Sequence, residues 1–301
     1  MIVICGPTAT GKTALGVEVA KRLNGEIVSA DSMQIYKYMN IGTAKPTEDE
    51  KKGIRHHLMD IVDPSETYSV AEYQKDASKA IEEIKSKGKV PIIVGGTGLY
   101  INSLIYQYQP SEKSDELRRE LTKEYEEFGS EYIYNKLKEV DEESAKVIHP
   151  NNVKRVMRAL EVKLLTGESI VNKNDKNSSV PCLTYVCSGE REDLYEKINK
   201  RVDEMFRQGL VEEVDGLMKK GITFDHQCMQ AIGYKEFKEY FERNEDLEIV
   251  KDKIKQHTRN YAKRQITWFK RYEDAIWLKN EEIEQKADRI VLEYYKYFCK
   301  L

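Results

Sequence analysis

The sequence predicts an α/β fold, a parallel sheet flanked by helices and interrupted by an inserted all-helical lobe. Three observations predict it. A glycine-rich turn, Gly6-Pro7-Thr8-Ala9-Thr10-Gly11-Lys12-Thr13, follows directly on an apolar run at residues 2–5. Further strand-like runs at residues 26–30 and 90–94 alternate with helical patterns. From residue 114 to about residue 167 the strand patterns disappear. Strands that alternate with helices are joined by crossovers, which make the sheet parallel and cover both of its faces.

The turn matches G-x-x-x-x-G-K-[ST], so the core is read as P-loop NTPase-like. Its glycines let successive N–H groups face inward, Lys12 can reach terminal phosphate oxygens, and the Thr13 hydroxyl is placed to ligate magnesium. Ala14, Leu15, Val17, Val19, Ala20 and Leu23 then mark a helix whose positive end faces the anion. Residues 70–85 form a second amphipathic helix, with Val70, Tyr73, Ala77, Ala80, Ile81 and Ile84 on one face. The inserted lobe, residues 113–180, carries helical patterns through Leu117, Leu121, Tyr125 and Phe128, then at residues 132–140 and 153–165. Residues 171–179, rich in Asn, Lys and Ser, read as an exposed loop. A β pattern at residues 183–187 rejoins the sheet, helices fill 193–220 and 247–272, and a last short strand falls at 275–278. The core is therefore residues 1–112 together with 181–301.

A chain of 301 residues with 40% apolar content can bury a full core. Its net charge of -3 cannot attract a polyanion through the field of the whole molecule, so nucleic-acid contact must come from local clusters. Cys5, Cys182, Cys187, Cys228 and Cys299 form no C-x-x-C pair and suggest reduced thiols in a cytoplasmic protein. The first strand starts at Ile2, so no signal peptide is expected, and no apolar run approaches the ~20 residues that span a bilayer.

The strand at 26–30 delivers Asp31 to the carboxyl edge of the sheet, where ligands of open α/β sheets bind. There Asp31 can ligate magnesium, accept a proton or simply cap a helix. The next strand ends in Gly95-Gly96-Thr97-Gly98, which permits close backbone approach and leaves the Thr97 hydroxyl at the same edge. No acidic residue follows it. A nucleoside triphosphatase would carry a second magnesium-holding acid and a residue that positions water, so the site reads as one that holds a diphosphate while something other than water attacks. Lys154, Arg155 and Arg158 share one side of a helix in the lobe. The helix near the C-terminus carries Lys251, Lys253, Lys255, Arg259, Lys263, Arg264, Lys270 and Arg271 against the single acid Asp252, with Ile254, Tyr261 and Trp268 as an apolar stripe. Both segments are either nucleic-acid surfaces or solvated faces. His56-His57, without acidic or cysteine partners at metal spacing, reads as structural.

The phosphate loop, Asp31-Ser32-Met33-Gln34-Ile35-Tyr36, Ile41-Gly42-Thr43-Ala44-Lys45-Pro46 and Gly95-Gly96-Thr97-Gly98-Leu99-Tyr100 together resemble the tRNA dimethylallyltransferase family, also called tRNA isopentenyltransferases. The resemblance continues through Lys154-Arg155-Val156-Met157-Arg158-Ala159-Leu160-Glu161-Val162, Arg201-Val202-Asp203-Glu204-Met205, Gln230-Ala231-Ile232-Gly233-Tyr234-Lys235 and Lys263-Arg264-Gln265-Ile266-Thr267-Trp268-Phe269. The motifs follow the family's order over nearly the whole chain. The zinc-finger extension of eukaryotic members is missing, which points to the bacterial type.

The resemblance implies transfer of a dimethylallyl group from dimethylallyl diphosphate to N6 of adenine 37 in tRNA, with Mg2+ as cofactor, in a cytoplasmic monomer. Residues Gly6, Pro7, Thr8, Ala9, Thr10, Gly11, Lys12 and Thr13 with Arg201 would hold the diphosphate, and Thr13 the metal. Asp31 would take the N6 proton, with Thr97 at the reaction centre. Asp31, Ser32, Met33, Gln34, Thr97, Arg118, Lys154, Arg155, Val156, Met157, Arg158, Lys263 and Arg264 would touch the tRNA. The adenine would have to be flipped into a channel between core and lobe. Three rivals differ in what they leave unexplained. An adenylate isopentenyltransferase would not need the lobe or the basic C-terminal helix, a small-molecule kinase would need a base-binding lid, and a plain RNA-binding protein would leave the phosphate loop without a purpose.

Overall fold

The computed structural model describes residues 1–106, 114–171, 180–279 and 281–298. The expected loop at 171–179, apart from Val171, lies outside the described residues, as do Cys299 and the expected 112/113 boundary. The chain divides into two compact units, Met1–Ile105 with Pro181–Leu301, and Tyr106–Val180.

In the first unit β1 (Ile2–Cys5) leads into α1 (Lys12–Arg22) and β2 (Gly25–Ala30), then α2 (Glu48–Lys51) and β3 (His56–His57). Next come α3 (Val70–Ser86), β4 (Val90–Gly95) and α4 (Gly98–Ile105). The second unit holds α5 (Asp115–Val140), α6 (Glu142–Val147) and α7 (Val153–Thr166). The first unit resumes with β5 (Leu183–Cys187), α8 (Arg191–Arg207), α9 (Leu210–Lys219), α10 (Lys238–Arg243), α11 (Leu247–Phe269), β6 (Ile276–Leu278) and α12 (Ile283–Phe298).

All six strands are parallel, in the order β3-β2-β4-β1-β5-β6. Their registers bring Cys5, Ala30 and Gly95 level at one edge, with Cys5 opposite Val186 on the other side. The turns after β1, β2 and β4 therefore open on one crevice, beside the point where the order leaves sequence order. Every residue of β1 and β2 is buried, as expected for strands covered on both faces. Ile2, Ile4, Ile92, Val94 and Tyr185 meet Leu15, Val19 and Ala20 of α1 and Ala287 and Ile290 of α12 in one apolar cluster. Ser69 and Glu72 form a capping box that starts α3.

Several elements were not visible in the periodicity. The strand β3 is two residues long, too short for any pattern, and α4 is apolar on nearly every side, which removes the amphipathic signal. In the second unit the patterns expected at residues 117–128 and 132–140 form one span, α5, broken where Gly129 takes φ 82° and ψ -178°. Leu121, Ile133 and Leu137 of α5 pack with Ala145 of α6, Ile148, and Val156, Ala159 and Leu160 of α7. That cluster gives the unit its own core.

Candidate active site

The phosphate loop is a nest of backbone amides. Gly6 (φ 138°), Ala9 (62°) and Gly11 (78°) all have positive φ. A side chain at Gly6 is impossible, since its Cβ would stand 2.3 Å from the Cys187 carbonyl oxygen. Gly11 is the N-cap of α1 and supplies no side-chain acceptor, so the first-turn amides remain available to an anion. Thr10 Oγ1 and Lys12 Nζ donate to the Pro7 carbonyl at 2.8 and 2.6 Å, which folds the lysine over the cradle. Burial lowers the Lys12 ammonium to about 8, with Arg201 adding repulsion and Cys187 and Asp31 opposing. With this loop after β1, the parallel sheet is a P-loop NTPase-like core.

Asp31 follows β2 and lines the same cleft as Lys12 and Thr13. Its Oδ1 accepts from the amides of Met33 at 2.9 Å and Gln34 at 3.3 Å. These amides belong to a turn, since no helix starts between Ala30 and Glu48, so Asp31 stabilises a turn and does not cap a helix. Burial raises the carboxyl above its usual range, against the pull of these two amide bonds and of Lys12 and Lys45. Thr97 Oγ1 accepts from the Ser32 amide at 3.0 Å, and the Thr97 amide donates to the Ala30 carbonyl at 3.0 Å, so the turns after β2 and β4 are tied together beside Asp31.

The cleft measures about 380 Å³, within the usual range for a small-ligand site. Ser32, Met33 and Gln34 line it with Gly42, Thr43 and Ala44. Helix α8 contributes Arg201, whose Nη1 donates to Thr8 Oγ1 at 3.2 Å, and an apolar strip of Ile198, Val202 and Met205. Helix α11 contributes Ile254, Thr258, Tyr261, Arg264 and Gln265. Gln265 was not singled out from the sequence, although it is buried and joins the phosphate loop to the end of β4. The helical spacing 254, 258, 261, 265 is the signal that could have found it.

Four of the eight bases on the basic helix are engaged within the protein. Lys251 and Lys255 pair with Asp203 of α8 at 3.3 and 2.6 Å, Lys253 with Glu245 at 2.6 Å, and Arg259 donates to Asn199 at 2.6 Å. These charges tie α11 to its neighbours. Lys263 and Arg264 stay exposed, Arg264 lying over the Tyr261 ring. In the second unit Arg118, Lys154 and Arg155 are exposed, while Arg158 is held by Glu161 at 2.6 Å. Met157 is half-buried, and Val156 is buried in that unit's core, which leaves only its backbone for an RNA contact.

Among the described residues no group of three or more His, Cys, Asp or Glu could hold a metal. A hard cation shared with phosphate oxygens needs only one or two protein oxygens, and the Thr13 hydroxyl and Asp31 carboxylate in one cleft fit that chemistry. His57 Nε2 lies 2.7 Å from Glu26 Oε2, a structural pair. No helix among the described residues is long and apolar enough to cross a membrane.

The IPP transferase family model matches residues 34–272. A tRNA dimethylallyltransferase of Acetivibrio thermocellus is 49% identical over 304 residues, spanning 99% of this chain and 96% of its own length. The crystal structure of the full-length tRNA isopentenylpyrophosphate transferase from Bacillus halodurans superposes with a TM-score of 0.73 at 42% identity, covering 98% of this chain and 95% of that one. A eukaryotic dimethylallyltransferase acting on tRNA gives 0.83 at 31% identity, over 98% of this chain and 77% of that one.

Proposed function

The chain belongs to the IPP transferase family, and from that membership we propose that it transfers a dimethylallyl group from dimethylallyl diphosphate to N6 of adenine 37 in tRNA, releasing diphosphate. The observation that carries this reading is that Lys12 and Thr13 of a phosphate cradle line one cleft with Asp31, whose carboxyl has a raised affinity for protons.

In the reaction the N6 lone pair forms the new bond to the allylic carbon as the carbon–oxygen bond breaks. The electron pair of that bond leaves on the diphosphate oxygen, and the N6 proton passes to an Asp31 oxygen. Exocyclic adenine nitrogen is a weak nucleophile because its lone pair is delocalised, so removing the proton in flight lowers the barrier. Burial of Asp31 makes it a stronger base than a solvated carboxylate. The loop amides, the N-terminus of α1, Lys12 and Arg201 neutralise charge growing on the leaving group. Thr13 would hold Mg2+, which when bound adds Lewis-acid stabilisation of the departing diphosphate. Ile198, Val202 and Met205 offer apolar surface next to Arg201 for the five-carbon chain. Ser32, Met33, Gln34, Thr97, Lys263 and Arg264 would contact the tRNA on the first unit, and Arg118, Lys154, Arg155, Met157 and Arg158 on the second, inserted unit. Adenine stacked in an anticodon loop must leave the stack to reach Asp31.

Labelled dimethylallyl diphosphate offered with unmodified tRNA, AMP or ATP tests the reading in a cytoplasmic-type buffer with Mg2+. Label in tRNA alone supports it. Label in AMP or ATP points to a free-nucleotide prenyltransferase, and transfer to none of the three overturns it.

A further inference from the structure

The most heavily engaged carboxylate near the cleft is not a lining residue. Glu213, on α9, accepts four hydrogen bonds. Its Oε2 takes the amides of Asn40 at 2.7 Å and Ile41 at 2.8 Å, and its Oε1 takes the Gly42 amide at 3.0 Å and the Tyr234 hydroxyl at 2.6 Å. The loop so gripped is pressed onto the Tyr234 ring, since a Cβ at Gly42 would stand 2.5 Å from it. The same loop turns its carbonyls to Gln34, whose Nε2 donates to Thr43 and Ala44, each at 3.3 Å. Gln34, Gly42, Thr43 and Ala44 all line the cleft beside Asp31.

We propose that Glu213 is a positioning residue for the acceptor base: it fixes the loop at residues 40–44, and through the Thr43 and Ala44 carbonyls it sets the plane of the Gln34 amide on the cleft wall. The proposal rests on the reading of the cleft as an adenine site. One carboxylate can serve this purpose because it offers about four acceptor positions and no donor, which matches three convergent amides and one phenol. An amide in its place would point an NH2 group at N–H donors and release at least part of the loop. The hydrogen bonds of this device run to residues 34 and 40–44 and to Tyr234 rather than to the phosphate loop or Arg201, so diphosphate binding should be little affected.

Glu213→Gln separates the possibilities. Hydrogen exchange of the substrate-free protein over residues 39–45 should be at least about tenfold faster in the variant, because amide protection reports local opening. This measurement needs no enzyme activity, so it stands even if transfer to tRNA is not found. In the transfer assay kcat/KM for tRNA should fall by about 10- to 100-fold, the usual cost of a small misplacement, while KM for dimethylallyl diphosphate stays within about twofold. A double-mutant cycle with Gln34→Ala gives the decisive readout: in the double variant the two losses should overlap, leaving it within about threefold of the worse single variant. Multiplicative losses, unchanged exchange, or an equal loss of diphosphate binding would overturn the proposal. Should Glu213→Gln not fold, Tyr234→Phe removes one of the four donors and leaves the carboxylate. It should lower the tRNA rate severalfold with the same overlap, and no overlap there overturns the proposal equally.

Discussion

Gln265 joins Thr8 of the phosphate loop to the sheet: its Oε1 accepts from the Thr8 amide at 3.0 Å while its Nε2 donates to the Gly96 carbonyl at 2.9 Å. The two turns that form the crevice are thereby fixed to α11 and to each other. Gln265→Met keeps the volume but leaves the buried Gly96 carbonyl unpaired, costing about 1–3 kcal/mol, and the part-buried Thr8 amide without its partner. The expected outcome is a lowered Tm together with a weaker dimethylallyl diphosphate Kd, read by thermal unfolding with and without ligand. An unchanged Kd would mean that the loop holds its shape without this strut.

Lys12 predicts a pH-dependent affinity. Its ammonium is lowered to about 8, mainly by burial. Below that pH the lysine is already charged and the diphosphate binds without taking up a proton. Above it the free protein holds a neutral lysine, and the arriving anion draws a proton from solvent. Affinity should therefore weaken by up to about tenfold per pH unit above about 8. Calorimetry at pH 8.5 in buffers of different ionisation heat should show uptake approaching about one proton, and at pH 6.5 almost none. Lys12→Arg should abolish the uptake, because guanidinium does not titrate in this range.

For Asp31 the informative substitution is Asn. Its side-chain oxygen can still accept from the Met33 and Gln34 amides, so the turn is preserved while the base is lost. Turnover should fall by about 10² to 10⁴, with Tm and tRNA affinity nearly unchanged, since a single proton acceptor adds little to a large electrostatic interface. A loss of tenfold or less in single-turnover rate would remove Asp31 from the reaction. In the wild type, burial raises this carboxyl, so the rate should fall on the acid side at a higher pH than an exposed aspartate would give.

The fold and the centre of the site were legible because their signals are contiguous. The phosphate loop is eight consecutive residues, and Asp31 and Thr97 each end a strand whose pattern is visible. The contacts of Gln265 and Glu213 were not legible, even though helical spacing could have placed Gln265 on the face of Ile254 and Tyr261, because their partners lie 257 and up to 173 residues away and only folding brings them together. The same reason hid the ion pairs of the basic helix. Its own sequence holds one acid, yet Asp203 of α8 and Glu245 before α11 neutralise Lys251, Lys253 and Lys255. Asp31 teaches a different point. Its Oδ1 accepts the two turn amides, which leaves Oδ2 for the proposed role as a base, so a structural contact does not exclude that role.

The neutralised and exposed bases make opposite predictions for tRNA binding. Each phosphate contact with duplex RNA or DNA contributes about 0.9 to the slope of log K against log salt, and about 0.7 on a single strand. Lys154 and Arg155 are exposed on α7, so replacing both with alanine should flatten the slope by about 1.4 to 1.8. Adding Arg158→Ala should contribute less than the about 0.7 to 0.9 of a free base, since part of that charge is already satisfied by Glu161 at 2.6 Å. Lys251 and Lys255 are both bound to Asp203, so their double alanine variant should leave the slope nearly unchanged and lower Tm instead. The measurement is tRNA affinity at several salt concentrations for all three variants, with single-turnover rates at saturating tRNA as the control. Parallel plots for wild type and the α7 variants would show that this cluster only faces solvent, and a flattened plot for the Lys251 and Lys255 variant would show that those ion pairs open to receive the RNA.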